Sequence, residues 1–232
     1  MNRSQILSRI KNGIIVSCQS EPPEPLAKPE ILTAMARAAV MGGAVGIRAN
    51  GPPNIRAMRK ALDVPIIGIN KQDYEDAAVR ITPTTKELKA VIQTGSDIIA
   101  MDATHRKRPG NQTLQTLVDM ARSTSDALLM ADIATLEEGI MAAKMGFDLI
   151  ATTLSGYTEE SQERLQQESP DFKLLSDLVN TLQMPVPVIA EGRIWHPQEA
   201  RKAIETGAFA VVVGTAITRP WAITRRFADA LS

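Results

Sequence analysis

A single-domain (β/α)8 TIM barrel is the architecture this sequence predicts, on three observations. Eight short apolar, β-branched runs recur along the chain, a stretch of helical periodicity follows most of them, and several of those stretches close on a glycine just before the next run. Runs that are apolar on successive residues fit parallel strands buried on both faces. Eight βα units without a compositional break favour closure into a barrel. An open doubly wound sheet more often shows fewer strands and a nucleotide fingerprint. The 232 residues suit one barrel of roughly 250 residues as well as two small domains, and the expectation is one domain over residues 1–232.

In chain order, strands are expected at 14–17, 44–47, 65–69, 97–101, 128–132, 148–152, 187–190 and 210–213. Helices are expected at 29–41, 54–62, 85–94, 112–123, 136–145, 174–182 and 197–206, with a final one at 221–230. Met41-Gly42-Gly43, Thr94-Gly95, Met145-Gly146 and Thr206-Gly207 mark helix ends, because glycine most easily makes a left-handed cap. The polar segment 155–172, rich in Glu, Gln and Ser and containing Pro170, reads as an extended loop or lid after the sixth strand. Segment 74–83 after the third strand is similar.

Composition narrows the function. Hydrophobic residues make up 44% of the chain, enough for a substantial core, and 26 basic side chains balance 26 acidic ones. Nothing therefore pulls the protein towards nucleic acid or an acidic membrane. The single Cys18 excludes an intrachain disulfide. The N-terminus lacks the apolar run of ~7–15 residues that a signal peptide needs, and nowhere do ~18 apolar residues run together, so a cytoplasmic metabolite enzyme is expected. Zinc-type Cys/His spacings, His-Glu-x-x-His, a P-loop and Gly-x-Ser-x-Gly are absent, and Gly42-Gly43-Ala44-Val45-Gly46 has the wrong spacing for a dinucleotide fingerprint. Metal, nucleotide and serine-hydrolase readings therefore begin weak.

In such a barrel the chemistry sits at the C-terminal ends of the strands. That face would gather Gln19, Arg48, Lys71, Asp102, Asp132, Thr153, Glu191, Gly192, Arg193, Gly214 and Thr215. Lys71 and Glu191 each stand where an apolar strand meets a loop, which suits proton transfer; the bland alternative is a solvated loop residue. Asp102 and Asp132 are either site acids, helix caps or partners of Arg48. Gln19 and Arg48 follow apolar strands, where desolvation is costly without a partner, and a ligand is a natural one. His105 lies in a charge run and reads as solvated, His196 as a cap before Pro197, and Cys18 as a small buried hydrophobe.

The loops after strands seven and eight suggest phosphate. Gly192 and Gly214 permit close backbone approach, Thr215 and Thr218 offer hydroxyls, and Arg193 and Arg219 supply charge. A small-molecule phosphate ester is the expected partner. Trp221 and Phe227 in the final helix either close the barrel or pack on a second subunit, and a homodimer is expected.

Together these residues resemble the N-acylglucosamine-6-phosphate (N-acetylmannosamine-6-phosphate) 2-epimerase family. The likeness runs almost end to end, through Ser17-Cys18-Gln19, Gly46-Ile47-Arg48-Ala49, Pro65 to Lys71, Ile81-Thr82-Pro83-Thr84, Ala100-Met101-Asp102-Ala103-Thr104, Met130-Ala131-Asp132-Ile133, Thr152 to Tyr157, Ile189-Ala190-Glu191-Gly192 and Val213 to Pro220. The resemblance implies a (β/α)8 barrel that interconverts N-acetylmannosamine 6-phosphate and N-acetylglucosamine 6-phosphate during amino-sugar and sialic-acid breakdown, without metal or organic cofactor. It assigns the acid–base pair to Lys71 and Glu191, places Gln19, Arg48 and Asp132 around the sugar, and sets Arg219 with the glycines of the last two loops at the phosphate. The chain departs from the family at Asn70 and Gln72, where an apolar and a basic residue are usual, and at His196, where Thr is common. Two rivals are a Schiff-base aldolase using Lys71 and a non-catalytic sugar-phosphate sensor.

Overall fold

Strands apolar on both faces need cover on both, and the chain provides it by closing eight of them into a parallel barrel inside a ring of helices. The computed structural model describes residues 1–181 and 186–231. The strands are β1 (Ile14–Cys18), β2 (Gly46–Asn50), β3 (Ile66–Ile69), β4 (Ile98–Asp102), β5 (Leu128–Asp132), β6 (Leu149–Ala151), β7 (Val188–Glu191) and β8 (Ala210–Val213). They pair in chain order, and β8 returns to β1 with Ile15 opposite Val212.

Helix α1 (Arg3–Ile10) precedes β1, and α2 (Pro29–Met41), α3 (Pro52–Ala61), α4 (Thr85–Ile92), α5 (Leu114–Thr124), α6 (Leu136–Lys144), α7 (Phe172–Thr181) and α8 (Pro197–Glu205) follow the first seven strands in turn. After β8 come the short α9 (Thr215–Thr218) and then α10 (Pro220–Asp229). The α-to-β turns run through Gly43, Gly95, Gly146 and Gly207, all at positive φ. At Gly207 a Cβ would also stand 2.7 Å from Val179 Cγ1, so both conformation and space require glycine there.

The expected elements are all present, with instructive differences at their ends. β2 runs to Asn50 instead of stopping at residue 47 and begins at Gly46 instead of 44. Arg48 and Asn50 stay in the ladder, opposite Ile67 and Ile69 of β3, because their side chains point into the barrel mouth. Polarity marks the site there, not the end of the strand. Asp97 and Asp148, expected as first strand residues, lie one residue ahead of β4 and β6. Asp97 accepts the Ile66 N–H at 2.9 Å and Asp148 the Leu129 N–H at 2.7 Å, so each caps a neighbouring strand. α3 starts at Pro52, earlier than expected, since proline is tolerated in a first helical turn. The helix expected at 174–182 is α7, and Leu182 lies outside the described residues, as does Ser232. Segment 155–172 is no plain loop: it contains a 3-10 helix at Glu159–Gln166.

Alternation of side chains along each strand sorts the core. Ile67, Ile98, Met130, Leu149, Ile189 and Val212 are among the inward-facing residues that fill the barrel, joined by Ile6 and Ile10 of α1. Ile47, Ile66, Ile99, Leu129, Ile150 and Val211 face outward and pack on helix residues such as Leu32, Met58, Leu88, Leu117 and Leu178. Each such side chain, fully buried, contributes ~1.5–3 kcal/mol. Followed to the strand ends, the inward parity arrives at Gln19, Arg48, Lys71, Asp102, Asp132, Thr153, Glu191 and Gly214. The same period that fills the barrel therefore aims the polar groups into one mouth.

Candidate active site

At that mouth lies a cavity of about 520 Å3, lined by residues from every strand end except that of β5. Gln19, Arg48, Lys71, Asp102, Thr153, Glu191, Gly192, Arg193, Gly214, Thr215 and Arg219 all contribute to its wall. Asp132, at the tip of β5, lies fully buried behind Arg48.

The floor is one ionic network. Arg48 crosses the barrel from β2 and forms a two-pronged pair with Asp132 of β5, Nη1 to Oδ1 at 2.9 Å and Nη2 to Oδ2 at 2.6 Å. Arg48 Nη1 also donates to Glu191 Oε2 at 2.6 Å, and Thr153 Oγ1 donates to Asp132 Oδ1 at 2.6 Å. Burial alone would lower the guanidinium pKa, but Asp132 and Glu191 outweigh it and hold the group above its ordinary value. The Glu191 pKa is raised as well, but with burial as the chief cause. Burial, aided by Asp132 and opposed by Arg48, pushes its carboxyl up from 4.5 to about 7. Its backbone is fixed by Thr152, whose Oγ1 donates to Glu191 O at 2.9 Å and accepts from Glu191 N–H at 3.1 Å.

Lys71 stands two residues past β3, and β3 and β7 are separated by four places in a closed ring of eight. The amine and the Glu191 carboxyl therefore enter the cavity from opposite sides of the barrel. The Lys71 N–H donates to Asn50 Oδ1 at 2.9 Å, and its main chain bridges to Ile81. Burial lowers the amine pKa, Glu21 opposes this, and the Arg48 charge adds to it. Lys71 Nζ lies 3.3 Å from Glu21 Oε1.

Asp102 is occupied with local structure. Its Oδ1 accepts from Thr104 N–H at 3.0 Å and Thr104 Oγ1 at 2.7 Å, and Oδ2 takes Arg106 Nη2 at 2.7 Å. Of the two partners expected for Arg48, only Asp132 pairs with it. His105 is exposed and His196 is the N-cap of α8, its N–H donating to Glu199 Oε2 at 2.9 Å. Cys18 is buried, which pushes its thiol up to about 12. Among the described residues, two buried side-chain atoms, Gln19 Oε1 and Arg48 Nε, have no hydrogen-bond partner, and both belong to cavity-lining residues. Leaving such atoms unpaired costs about 1–3 kcal/mol each.

The β7 and β8 loops close the other end of the cavity. Gly192 adopts φ +110°, which a side chain would strain, and a Cβ on Gly214 would come within 3.3 Å of Ser17 Cβ. Thr215 opens α9 against the cavity. Thr218 does not present its hydroxyl to the cavity as expected: Oγ1 donates to Ser17 O at 2.8 Å and Gly214 O at 3.0 Å, tying the β8 loop to β1. Arg219 faces Glu24 at 3.7 Å, and Glu24 also accepts from Ser20 Oγ at 2.6 Å. Arg193, at φ +55°, reaches into segment 155–172, donating to Ser155 O at 2.5 Å and Ser169 O at 3.1 Å. That segment also supplies Tyr157 to the cavity wall.

Arg80 and Tyr157 on the cavity wall, and Glu21 and Glu24 paired with the wall residues Lys71 and Arg219, are among the residues that sequence reasoning missed. Two acids in the proline-rich run Glu21-Pro22-Pro23-Glu24-Pro25 were a signal. What they face lies some 50 to 200 residues away and is not legible locally. Among the described residues, no group of three or more His, Cys, Asp or Glu is placed to hold a metal ion, and no helix is long and apolar enough to cross a membrane.

Residues 32–232 match the family model described as "Putative N-acetylmannosamine-6-phosphate epimerase". A relative from Caldanaerobacter subterraneus subsp. tengcongensis, named as a putative N-acetylmannosamine-6-phosphate 2-epimerase, is 53% identical over 96% of this chain and 92% of its own length. A Listeria monocytogenes relative of the same name is 48% identical, covering 97% of this chain and 94% of itself. Among solved structures, the N-acetylmannosamine-6-phosphate 2-epimerase from Clostridium perfringens superposes with a TM-score of 0.93 at 46% identity, over 99% of this chain and 98% of that one. The thiamine phosphate pyrophosphorylase of Pyrococcus furiosus shares only the fold, with a TM-score of 0.61 at 16% identity.

Proposed function

Given that the chain belongs to the N-acetylmannosamine-6-phosphate epimerase family, we propose that it interconverts N-acetylmannosamine 6-phosphate and N-acetylglucosamine 6-phosphate by inverting C2, in amino-sugar and sialic-acid breakdown. The observation that carries the mechanism is the placement of Lys71 and Glu191 on opposite sides of one polar cavity. In the open-chain aldehyde the C2 hydrogen lies beside the carbonyl, and its removal leaves an enolate. Neutral Lys71 takes that proton from one face and becomes the ammonium. Protonated Glu191 gives a proton to the other face and becomes the carboxylate. The reverse reaction, or exchange with solvent, restores both groups.

The two pKa shifts suit these roles. A lysine serves as base only when burial and nearby cations favour the neutral amine, and a glutamic acid stays protonated near neutrality only when buried. Arg48, rigidly held by Asp132, is the donor for the C1 oxygen as negative charge develops there, a contribution worth ~3–4 kcal/mol at comparable oxyanion sites. Gln19 and Thr153 line the sugar end. Gly192, Gly214, Thr215 and Arg219, with Arg193 bracing the lid, receive the phosphate, whose binding holds C2 near the base. In this reading the enzyme works in the cytoplasm as a homodimer; support comes from Trp221 and Phe227 on α10, exposed by 50% and 71%.

NMR in deuterium oxide tests the whole reading. The purified protein with N-acetylglucosamine 6-phosphate should place deuterium at C2 and produce the manno epimer. Exchange without the epimer would mean a base on one face only and a different reaction. No exchange with either epimer would sink the proposal. Borohydride trapping on Lys71 would redirect it to aldol chemistry.

A further inference from the structure

The loop between β1 and α2 carries a carboxylate that neither the proton-transfer pair nor the phosphate end uses. Glu21 is partly buried, and Pro22 and Pro23 behind it restrict the backbone. Its Oε1 lies 3.3 Å from Lys71 Nζ and accepts from Asn50 Nδ2 at 3.2 Å, while Oε2 accepts from Arg80 Nη2 at 3.2 Å. Asn50 also accepts the Lys71 backbone N–H through Oδ1. One amide and one carboxylate thus fix both ends of Lys71, its main chain and its amine. Arg80 is anchored in turn by Asp73.

We propose that Glu21 is a positioning residue for Lys71: held by Asn50 and Arg80, its carboxylate tethers the amine at the cavity wall. This rests on the reading of Lys71 as the base. A lysine side chain has several rotatable bonds, and a base misplaced by an ångström loses much of its rate. The tether supplies that placement. It also has an electrostatic consequence whose sign is fixed. The charged groups around Lys71 are Glu21 from the β1–α2 loop, Arg48 from β2, and Asp73 and Arg80 from the segment after β3, with Asp102 and Arg106 of β4 and its loop further along the cavity wall. Burial and the two nearer arginines favour the neutral amine, and Glu21 favours the ammonium. Removing Glu21 therefore eases deprotonation. Removing Arg80 hinders it, because a cation is lost and Glu21 is freed to pair with Lys71 alone.

The test combines the pH profile of C2 exchange with direct titration of Lys71 by NMR in protein labelled with 13Cε-lysine, the signal being assigned by its loss in K71R. In Glu21→Gln the acid limb of kcat/KM and the Lys71 titration should both move down by about half a pH unit, the size expected of a part-exposed ion pair. The plateau should fall about tenfold from lost positioning. In Arg80→Met both should move up, and Glu21→Asp should return most of the wild-type profile. Opposite displacements of one titration are not produced by general loosening of the fold. Should Glu21→Gln fail to fold, Glu21→Asp and Arg80→Met still read the tether. An unmoved Lys71 titration with a wild-type plateau in the folded variants overturns the role of Glu21. Retained inversion in Lys71→Ala overturns the Lys71 reading instead, and the NMR titration distinguishes the two because it needs no turnover.

Discussion

At the scale of single residues, Glu191 makes the sharpest predictions. Its carboxyl is raised from 4.5 to about 7 by burial. Between those pH values the folded protein keeps a proton that the unfolded chain gives up, so the folded state binds more protons and stability falls as pH rises through the window. Glu191→Gln should remove that dependence, as read from urea midpoints at the two ends of the range. An unchanged slope would show that Glu191 is ionised throughout. The same proton serves catalysis, so activity that needs protonated Glu191 should decline above about pH 7. The glutamine variant should lose about 10²–10⁴-fold in C2 inversion, while any one-sided exchange by Lys71 persists in deuterium oxide. Lys71→Ala, in contrast, should lose inversion, together with exchange of the epimer that Lys71 deprotonates, yet still bind the phosphate ester, which calorimetry would show.

The loop after β7 and the lid segment behave as one element. Gly192 holds φ +110° at the point where Glu191 hands over to Arg193, and Arg193 reaches out to the carbonyls of Ser155 and Ser169. Gly192→Ala forces an L side chain into a conformation costing about 1–3 kcal/mol, and relaxation of that strain displaces Arg193 and the loop. The expected outcome is a higher KM with a smaller change in kcat, because phosphate contacts are made in ground and transition state alike. Equal KM in the variant would separate the loop from substrate binding. The extra elements here, α9 and the 3-10 helix at Glu159–Gln166, escaped sequence reasoning for a physical reason. Helices this short have no amphipathic period to display, and tertiary contacts such as Thr218 to Ser17 hold them in place.

For the molecule as a whole, Arg48 is the tie across the barrel, joining β2 to β5 and β7 from a site 1% exposed. Removing Asp132 would leave that guanidinium with only Glu191, so Asp132→Ala should cost ~3–5 kcal/mol by denaturant unfolding. In the Arg48→Met/Asp132→Leu double variant the cost should be well below the sum of the single changes, since no buried charge remains unpaired. Additive losses would contradict the pairing. Much of this molecule was legible in its sequence. Apolar runs fixed the strands, glycines fixed the turns, and a period of two along each strand, once the barrel is accepted, delivers Gln19, Arg48, Lys71, Asp132, Thr153 and Glu191 to one mouth. Those are local signals, carried by spacing along the chain. Only the tertiary structure decided that Asp132 and not Asp102 pairs with Arg48, that Thr218 braces backbone, that Arg193 grips the lid, and that Glu21 and Arg80 surround the Lys71 amine. Those contacts join segments far apart in the chain. Their strength depends on distance and burial, quantities that come into existence only when the barrel closes.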